Sequence, residues 1–289
     1  MALKLIQQGY KVAEVSKALG IARSSLYYKN KDRKRAKKQT DLSLLEKIKQ
    51  IASEHPFWGY RRIWAYLKFR KGIRISQRKV YKLLKENGLF VPQRPKKARR
   101  KADKPKPQAT RPKQFWGIDM TKFMLSGLGW CYLVIVLDWF TKKIVGYSVS
   151  MSCKTRQWLS AIHMALQNEC PWGAREEDLS LISDNGSQPT SLSFMREMKI
   201  LGIKQIFTSY DNPKGNADTE RVMRTIKEDL LWLEEFESLT EAEEKIANWI
   251  TWYNKQYLHS SLDYMSPEEF LKKWEVQEIK EQEALLCLA

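Results

Sequence analysis

The sequence predicts an α/β fold in which helices cover a mixed β-sheet, preceded by all-α helical modules. Three observations predict it. Apolar residues recur at helical spacing in the first ninety or so residues, a strip rich in proline and basic residues follows, and short apolar runs alternate with helical patterns after Gln114. The chain of 289 residues, 43% hydrophobic with 11 Trp, has enough apolar material for a packed core.

Charge divides the chain into two unlike parts. Residues 1–113 hold 33 Lys and Arg against 7 Asp and Glu, a net of +26, whereas residues 114–289 hold 18 against 26, a net of −8. A strongly basic first part predicts a polyanionic partner, and nucleic acid is the default because phosphate neutralisation by Lys and Arg supplies most non-specific affinity. A basic surface that serves only solubility explains so uneven a division poorly.

Several classes of protein are excluded or disfavoured. The four cysteines form no C-x-x-C pair, and with three histidines the chain spells no Cys/His zinc module. We expect reduced, structural thiols. The longest apolar run, CYLVIVLDWF, is too short to cross a bilayer, and no signal peptide is evident. These features predict an intracellular, cytoplasmic protein with no membrane partner.

Residues 1–38 are predicted to form a helix-turn-helix module. Gly9 ends a first short helix, and Gly20 makes the turn between a second helix and a third. An ordinary helical hairpin is the alternative, but seven Lys and Arg follow within residues 29–38. The residues predicted to contact DNA at the start of the third helix are Arg23, Ser24 and Ser25.

Residues 39–90 are predicted to form a second helical module that contacts DNA, with structural scaffolding as the alternative. Asp41 is expected to cap its first helix, and Ser76 to cap QRKVYKLLKEN, which Gly88 terminates. The basic residues expected to face DNA are Arg61, Arg62, Arg78, Lys79 and Lys82.

Residues 91–113 read as an extended linker, since ten Lys and Arg and five of the ten prolines cannot bury a core. Such a strip can also lie along a DNA groove or backbone. Its expected DNA contacts are Arg94, Lys96, Lys97, Arg99, Arg100 and Lys101.

Residues 114–275 are predicted to form the α/β domain, and residues 276–289 a tail. FWGIDMTKFML reads as a strand, and GWCYLVIVLDWFTKKIVGYSVSM as two more joined by a turn. Thr155 should cap a helix, LSLISD and IKQIFTS should be strands around the helix LSFMREMKILG, and a long helix should follow the loop YDNPKGN. A further helix is expected over residues 241–254. The predicted order from the first strand to the long helix is β-β-β-α-β-α-β-α, typical of a mixed sheet covered by helices.

Three acids stand out by position in this domain. Asp119 lies in the first strand among apolar residues, Asp184 ends the fourth strand shortly before Gly186, and Glu220 lies in the first turns of the long helix, with 35 residues between it and Asp184. Taken singly, they could be a turn residue or a helix N-terminal charge. Together they supply the oxygen ligands that Mg²⁺ prefers, and two such ions catalyse phosphoryl displacement. Asp138, at a hairpin, is interpreted instead as a turn cap.

The motifs that carry these acids resemble a known family. WGIDMTKF, SDNGSQPTS and GNADTERVMRTIKEDL, together with HPFWGYRRIWAYL and YNKQYLHSSLDYMSPEEF, are similar to the second-frame product of bacterial insertion-sequence transposases of family three. These are Asp-Asp-Glu enzymes with a retroviral-integrase-like, ribonuclease-H-type core. The sequence departs from the family pattern at Pro189, Tyr257 and Asp263.

This resemblance implies a function. Asp119, Asp184 and Glu220 would bind two Mg²⁺ or Mn²⁺ ions, and no nucleotide cofactor would be needed. The enzyme would nick the element's 3′ end with water and join the 3′-hydroxyl to DNA. Terminal inverted repeats and target DNA would be the partners, bound by a homodimer in the nucleoid. Two alternatives stay open: a metal-dependent nuclease of the same fold, and a DNA-binding repressor with an inactive core.

Two cations on the long helix are also candidates for DNA contact. Lys227 lies seven residues after Glu220, which brings it back to nearly the same helix face, and Arg224 lies between them. They could simply form ion pairs on a solvated helix face. The family resemblance favours the reading in which Lys227 binds DNA phosphate.

Overall fold

The N-terminal residues form three short helices in the computed structural model, which describes residues 1–26, 30–91, 107–208 and 215–286. The helices are α1 (Ala2–Gln7), α2 (Val12–Ala18) and α3 (Arg23–Leu26). Gly9 and Gly20, which follow the first two, have φ values of 95° and 62°, a backbone conformation that glycine adopts without strain. The predicted helix pattern is therefore confirmed.

One long helix, α4 (Asn30–Glu54), crosses the predicted boundary between residues 38 and 39. The prediction that Asp41 caps a helix is wrong, because Asp41 lies inside α4. Residues 30–40 contain no Gly or Pro and are rich in Lys, Arg and Ala, which favour helix, so nothing in the sequence stops the helix there. The carboxylate of Asp41 pairs instead with Lys79.

The second module is completed by α5 (Tyr60–Ala65), which continues into a π-helical turn, Tyr66–Arg70, and by α6 (Gln77–Glu86). The Ser76 hydroxyl accepts a hydrogen bond from the backbone N–H of Lys79 at 3.3 Å, which confirms the predicted cap. Gly88, at φ 65°, follows the end of α6 as predicted.

Within the described residues, the sheet of the α/β domain has five strands in the order β3-β2-β1-β4-β5. They are β1 (Phe115–Leu125), β2 (Gly129–Asp138), β3 (Ile144–Ser150), β4 (Ser180–Ser183) and β5 (Lys204–Phe207). The first three are antiparallel, β4 is parallel to β1, and β5 is parallel to β4. The prediction of a meander joined to crossover strands is confirmed.

Five helices accompany the sheet, and their order along the chain is the predicted one. They are α7 (Thr155–Glu169), α8 (Leu192–Leu201), α9 (Ala217–Ile226), α10 (Leu239–Gln256) and α11 (Pro267–Leu286). Lys154, not Thr155 as predicted, is the N-cap of α7, because its backbone N–H binds the Gln157 side chain at 3.1 Å and Thr155 is already helical. Gly202 ends α8 at φ 74°, as predicted.

The two faces of the sheet belong to two hydrophobic clusters. On β1, Trp116 and Ile118 pack with α7 and α8, whereas Phe123 and Leu125 point to the opposite face. That opposite face shares one continuous core with α9, α10 and the second helical module, through residues such as Ile63. The second module is therefore packed against the α/β domain.

Two further contacts fasten the second module to the C-terminal helices. Arg70 makes a bidentate ion pair with Glu269, with nitrogen–oxygen distances of 2.7 and 2.9 Å, and also donates to the Gln256 carbonyl at 3.1 Å. Asp263, one of the departures from the family pattern, has φ 53°, a conformation that glycine also adopts readily. Among the residues described, no helix is long and apolar enough to cross a membrane.

Candidate active site

Asp119 and Asp184 lie at the same level of two neighbouring parallel strands. The pairing of β1 with β4 runs to Gly117 opposite Ile182, and each acid follows two residues later on its own chain. Because side chains alternate along a strand, both acids project to the face that α9 covers. Adjacent strands lie about 4.8 Å apart, so this register brings the two carboxylates to one edge of the sheet.

Gly117 lets the start of α9 pack directly on the backbone of β1. A Cβ atom added at Gly117 would lie 2.0 Å from the Thr219 hydroxyl and 2.3 Å from the Trp139 indole nitrogen. That indole donates a hydrogen bond of 3.0 Å to the buried Thr219 hydroxyl, and the Asn216 side chain donates to the Ile118 carbonyl at 3.1 Å. These contacts fix the first turn of α9, which carries Glu220.

Asp119 is half-buried, and the charges of Asp184 and Glu220 affect its pKa. Its pKa is raised to about 6, mainly by burial and also by the negative charges of Asp184 and Glu220, while the Met120 backbone N–H and the Lys227 ammonium act in the opposite direction. The Met120 N–H donates to Asp119 at 2.7 Å. Among the described residues, this is the only hydrogen bond that the Asp119 carboxylate accepts. It is therefore a buried acid with little local compensation.

Glu220 and Asp184 complete the acidic group. The pKa of Glu220 is raised by partial burial and by the charge of Asp184. Asp184 also uses one oxygen locally, since the Gly186 backbone N–H donates to it at 3.1 Å and closes a short turn. Asp184 can therefore be a turn residue and a candidate metal ligand at the same time, because it closes the turn and also contributes charge to the acidic group.

The donor atoms of this group suit a hard divalent cation, because all are carboxylate oxygens from separate elements. In the part of the chain that the structure describes, no three such side chains stand close enough to hold a metal ion as they are. The mutual charge effects on Asp119 and Glu220 nevertheless place the three acids within electrostatic range.

Asp138 is a different kind of buried acid. It accepts hydrogen bonds from the backbone N–H groups of Lys113, Phe140 and Thr141 at 2.7 to 2.9 Å, and from the Thr141 hydroxyl at 3.1 Å. Four donors satisfy the carboxylate and close the turn between β2 and β3. The prediction that Asp138 is a turn cap is confirmed.

The two cations predicted on the long helix have different environments. Arg224 pairs with Glu228 at 2.7 Å, four residues further on, so it serves an ion pair within the helix. Lys227 begins a π-helical turn, Lys227–Leu231, and its charge lowers the pKa of Asp119. Lys227 therefore lies within electrostatic range of Asp119.

The predicted DNA-contacting residues of the helical modules fall into two groups. Those whose side chains are exposed are Arg23, Ser24, Ser25, Arg61, Arg78 and Lys82. The other two are engaged within the protein: Lys79 pairs with Asp41, and the Arg62 guanidinium lies over the Tyr257 ring, 5.2 Å from its centroid.

Six predicted linker contacts lie outside the described residues: Arg94, Lys96, Lys97, Arg99, Arg100 and Lys101. The end of the predicted linker does contact the catalytic domain. Arg111 donates to the Glu177 carbonyl at 2.6 Å, and the Lys113 ammonium lies 3.3 Å from the Glu177 carboxylate. The described cysteines, Cys131, Cys153 and Cys170, are free thiols as predicted; Cys287 lies outside the described residues.

Models of known protein families match the second helical module and most of the α/β domain. A family model described as an HTH-like domain matches residues 39–97, and two models described as integrase core domains match residues 109–213 and 201–267. The fold and the acid-bearing domain therefore define an integrase-core protein with a ribonuclease-H-like sheet.

Relatives that match most of the chain identify the family within the integrase-core proteins. The chain is 30% identical to the "Transposase for insertion sequence element IS629" of Shigella sonnei, over 94% of this chain and 95% of the relative. It is 32% identical to the "Transposase for insertion sequence element IS904" of Lactococcus lactis, over 83% of this chain and 98% of the relative. The chain belongs to the insertion-sequence transposases, which are enzymes of the polynucleotidyl transferase type.

Solved structures with weaker similarity are integrase cores. The catalytic core domain of BIV integrase covers 58% of this chain and 99% of its own, at 20% identity and a TM-score of 0.43. The HTLV-2 integrase catalytic core domain in complex with magnesium covers 56% and 99%, at 17% identity and a TM-score of 0.43.

Sequence reasoning missed the residues that hold α9 on β1. Gly117 carried a readable signal, since a glycine inside a strand often marks the close approach of another backbone. Asn216 and Thr219 carried none, because their partners Ile118 and Trp139 lie about a hundred residues away in sequence.

Proposed function

We propose that this transposase binds the terminal inverted repeats of its insertion sequence, nicks the 3′ end and joins the freed 3′-hydroxyl to DNA. The observation that carries the proposal is the level placement of Asp119 and Asp184 on adjacent parallel strands, with Glu220 held against β1 by the Gly117 contact. In this arrangement the three carboxylates lie within electrostatic range of one another, and a polynucleotide can reach the exposed side chains of Asp184 and Glu220.

Asp119, Asp184 and Glu220 would together hold two Mg²⁺ or Mn²⁺ ions. Bound in this way, the ions would activate the attacking oxygen and stabilise the leaving oxygen of a phosphodiester. The raised pKa values of Asp119 and Glu220 are what a cation would compensate, since a positive charge favours the ionised carboxylates. We propose that Lys227 contacts a DNA phosphate beside the reacting one.

DNA binding is divided between the two helical modules and the basic strip that joins them to the catalytic domain. The exposed Arg78 and Lys82 on α6 and Arg61 on α5 would neutralise phosphates of the element end. Residues 23–25, at the start of α3, would add base contacts in the manner of a recognition helix. A homodimer would hold two ends together, and the reaction would take place on nucleoid DNA in the cytoplasm.

The test is a set of matched acid substitutions. Asp119→Asn, Asp184→Asn and Glu220→Gln should each lower metal-dependent nicking and joining on the order of a thousandfold, because several kcal/mol of transition-state stabilisation depend on the metal site. Binding to end DNA should stay nearly intact, since affinity resides in the basic modules. Asp138→Asn is the control acid outside the cluster, assayed on the fraction that remains folded. Near-normal nicking by one of the three variants would remove that residue from the site.

A nuclease of the same fold would hydrolyse DNA without joining it. Pre-nicked element ends and a target plasmid separate the two functions, because a transposase should transfer the donor strand into the plasmid. A repressor with an inactive core should bind ends and do neither. Strand cleavage with no joined product would replace our proposal with the nuclease.

A further inference from the structure

The π turn that begins at Lys227 is also held by the second helical module. Two residues after Lys227, the half-buried Asp229 accepts a hydrogen bond from the Trp58 indole N–H, with distances of 3.1 and 3.3 Å to its two oxygens. Trp58 lies in the loop just before α5, 171 residues away in sequence. A direct polar contact therefore joins the module to the helix that carries Glu220 and Lys227.

Trp58 has little freedom to move. It is 5% exposed, and its ring stacks on His55 with centroids 3.8 Å apart and planes 6° from parallel. Trp252 of α10 stacks at 6.4 Å, and the Tyr66 and Tyr257 rings meet Trp58 edge-on. An indole N–H fixed in this way presents a rigid donor to Asp229.

The groups that compensate for the buried Asp229 carboxylate come from the same module. The pKa of Asp229 is raised to about 6, mainly by burial, although the Arg62 guanidinium and the Trp58 N–H act in the opposite direction. Arg62 is itself held over the Tyr257 ring. Moving the module would leave Asp229 buried without these partners, which is costly, so the module and the turn should move together.

The π turn connects Asp229 to Lys227, which lies within electrostatic range of the acidic group. The backbone N–H of Trp232 donates to the Lys227 carbonyl at 2.9 Å and closes the turn, with Asp229 inside it. Lys227 at its first position exerts its charge on Asp119. π turns within α-helices occur frequently at functional sites.

We propose that Trp58 and Asp229 are positioning residues. The contact between them makes the position of Lys227 beside Asp119 depend on how the second helical module packs against the α/β domain. This rests on the proposed role of Lys227 in DNA joining. The module that binds the element end would thereby hold the phosphate-binding lysine in its working position, so that correct end binding and strand joining are linked.

The experiment uses the full chain and strand transfer from pre-nicked ends. Trp58→Phe keeps an aromatic ring but removes the N–H donor, and its matched control is Trp252→Phe in the same aromatic cluster. Trp58→Phe should lower the joining rate at saturating DNA about ten- to a hundredfold, the scale expected for a displaced reacting group. Its affinity for end DNA and its cooperative unfolding should persist, and Trp252→Phe should join at close to the normal rate.

Two further variants separate positioning from general destabilisation. Asp229→Asn retains an oxygen acceptor for the indole and should join faster than Asp229→Ala. In a Lys227→Ala background, Trp58→Phe should cause no additional loss, because the residue through which it acts is already gone. A merely structural role for Trp58 would still reduce joining in that background.

Each failure has its own signature. Equal joining by Trp58→Phe and Trp252→Phe, with Lys227→Ala impaired, would overturn the positioning proposal and leave the role of Lys227 intact. Full joining by Lys227→Ala alone would overturn the role of Lys227 and the positioning proposal with it. An additional loss on adding Trp58→Phe to Lys227→Ala would also overturn positioning.

Discussion

Asp119 and Asp138 are both buried acids of the same sheet, and they differ in what surrounds the carboxylate. Burial raises the pKa of each. Asp138 has four hydrogen-bond donors around it, three from backbone and one from the Thr141 side chain. Asp119 has one, from the Met120 N–H, and two acids within electrostatic range.

The difference shows how a structural acid can be told from a candidate metal ligand. A carboxylate satisfied by backbone donors contributes to a turn and has no free lone pairs to offer a cation. A carboxylate left with one donor and placed near other acids gains most when a cation binds. Substitutions should therefore affect different properties at the two positions: stability should fall when Asp138 is replaced, and activity should fall when Asp119 is replaced.

The largest effect on stability is expected at Asp138. Asp138→Ala should lower the free energy of unfolding by roughly 3–5 kcal/mol, because each buried donor left unpaired costs about 1–3 kcal/mol. Urea unfolding monitored by tryptophan fluorescence measures this change. Asp119→Asn should unfold at a urea concentration equal to or above that of the unsubstituted protein. Equal destabilisation by the two substitutions would contradict the distinction between Asp138 as a structural acid and Asp119 as a candidate metal ligand.

The next effect concerns the contact that brings α9 to Asp119. Gly117→Ala should destabilise the protein by about 1–3 kcal/mol, or more, because the added Cβ overlaps the Thr219 hydroxyl. The folded fraction should also join DNA more slowly, since Glu220 is displaced with α9. Gly59→Ala is the control, as an added Cβ there meets nothing within 4 Å. Similar unfolding midpoints for the two variants would show that α9 is not fixed through Gly117.

A smaller effect should appear in the pH dependence of the metal-free protein. The pKa of Asp119 is raised to about 6, so between pH 4 and 6 the folded state binds more protons at this position than the unfolded state. Its contribution to stability is therefore present below pH 4 and is lost as pH rises to 6, with a slope of at most about 1.4 kcal/mol per pH unit.

Asp229 has a pKa raised to a similar value and contributes in the same direction, so a single curve does not assign the effect. The measurement is the unfolding midpoint across this pH range for the unsubstituted protein and for Asp119→Asn. The variant should show the shallower fall, and saturating Mg²⁺ should flatten the curve of the unsubstituted protein. Identical curves for the two proteins would contradict the raised pKa of Asp119.

The smallest effect is expected at an acid on the surface. Asp178 is exposed, pairs with Lys204, and has φ 49°, a conformation that Asn also tolerates. Asp178→Asn should leave both the unfolding midpoint and DNA joining within error of the unsubstituted protein, because solvent screens such a pair. A clear loss in either measurement would mean that surface ion pairs, and not burial alone, distinguish the acids of this domain.

Much of this fold could be predicted because the signals are local. The alternation in β1, the glycine at the end of α8 and the strand before Asp184 all lie within a few residues of the structure they determine. Asp119, Asp184 and Glu220 could be selected because each is polar where its element is apolar or where it ends. The Asp41 prediction was wrong because a cap signal was read inside a segment that has no helix breaker.

The rest depends on contacts between distant segments. Nothing around Trp58 indicates that its indole N–H binds Asp229, and nothing around Arg62 indicates that it lies over Tyr257. Such contacts follow from the packing of the second module on the catalytic domain, which a periodic pattern cannot reveal. Arg62 and Lys79 illustrate the same limit, because the sequence shows that a cation is present but not which group of the protein it contacts.

The register between β1 and β4, which places Asp119 and Asp184 at the same level of the sheet, limits how such proteins can evolve. Their separation across the sheet is set by backbone hydrogen bonds between β1 and β4, and not by the sixty-odd residues that connect them. Insertions and deletions in the β2–β3 turn or after α7 can therefore accumulate without altering the distance between the two acids. A shift of β4 by a single residue is a different matter, because it turns Asp184 to the opposite face of the sheet. Lineages should vary freely in loop length here and hardly at all in strand register.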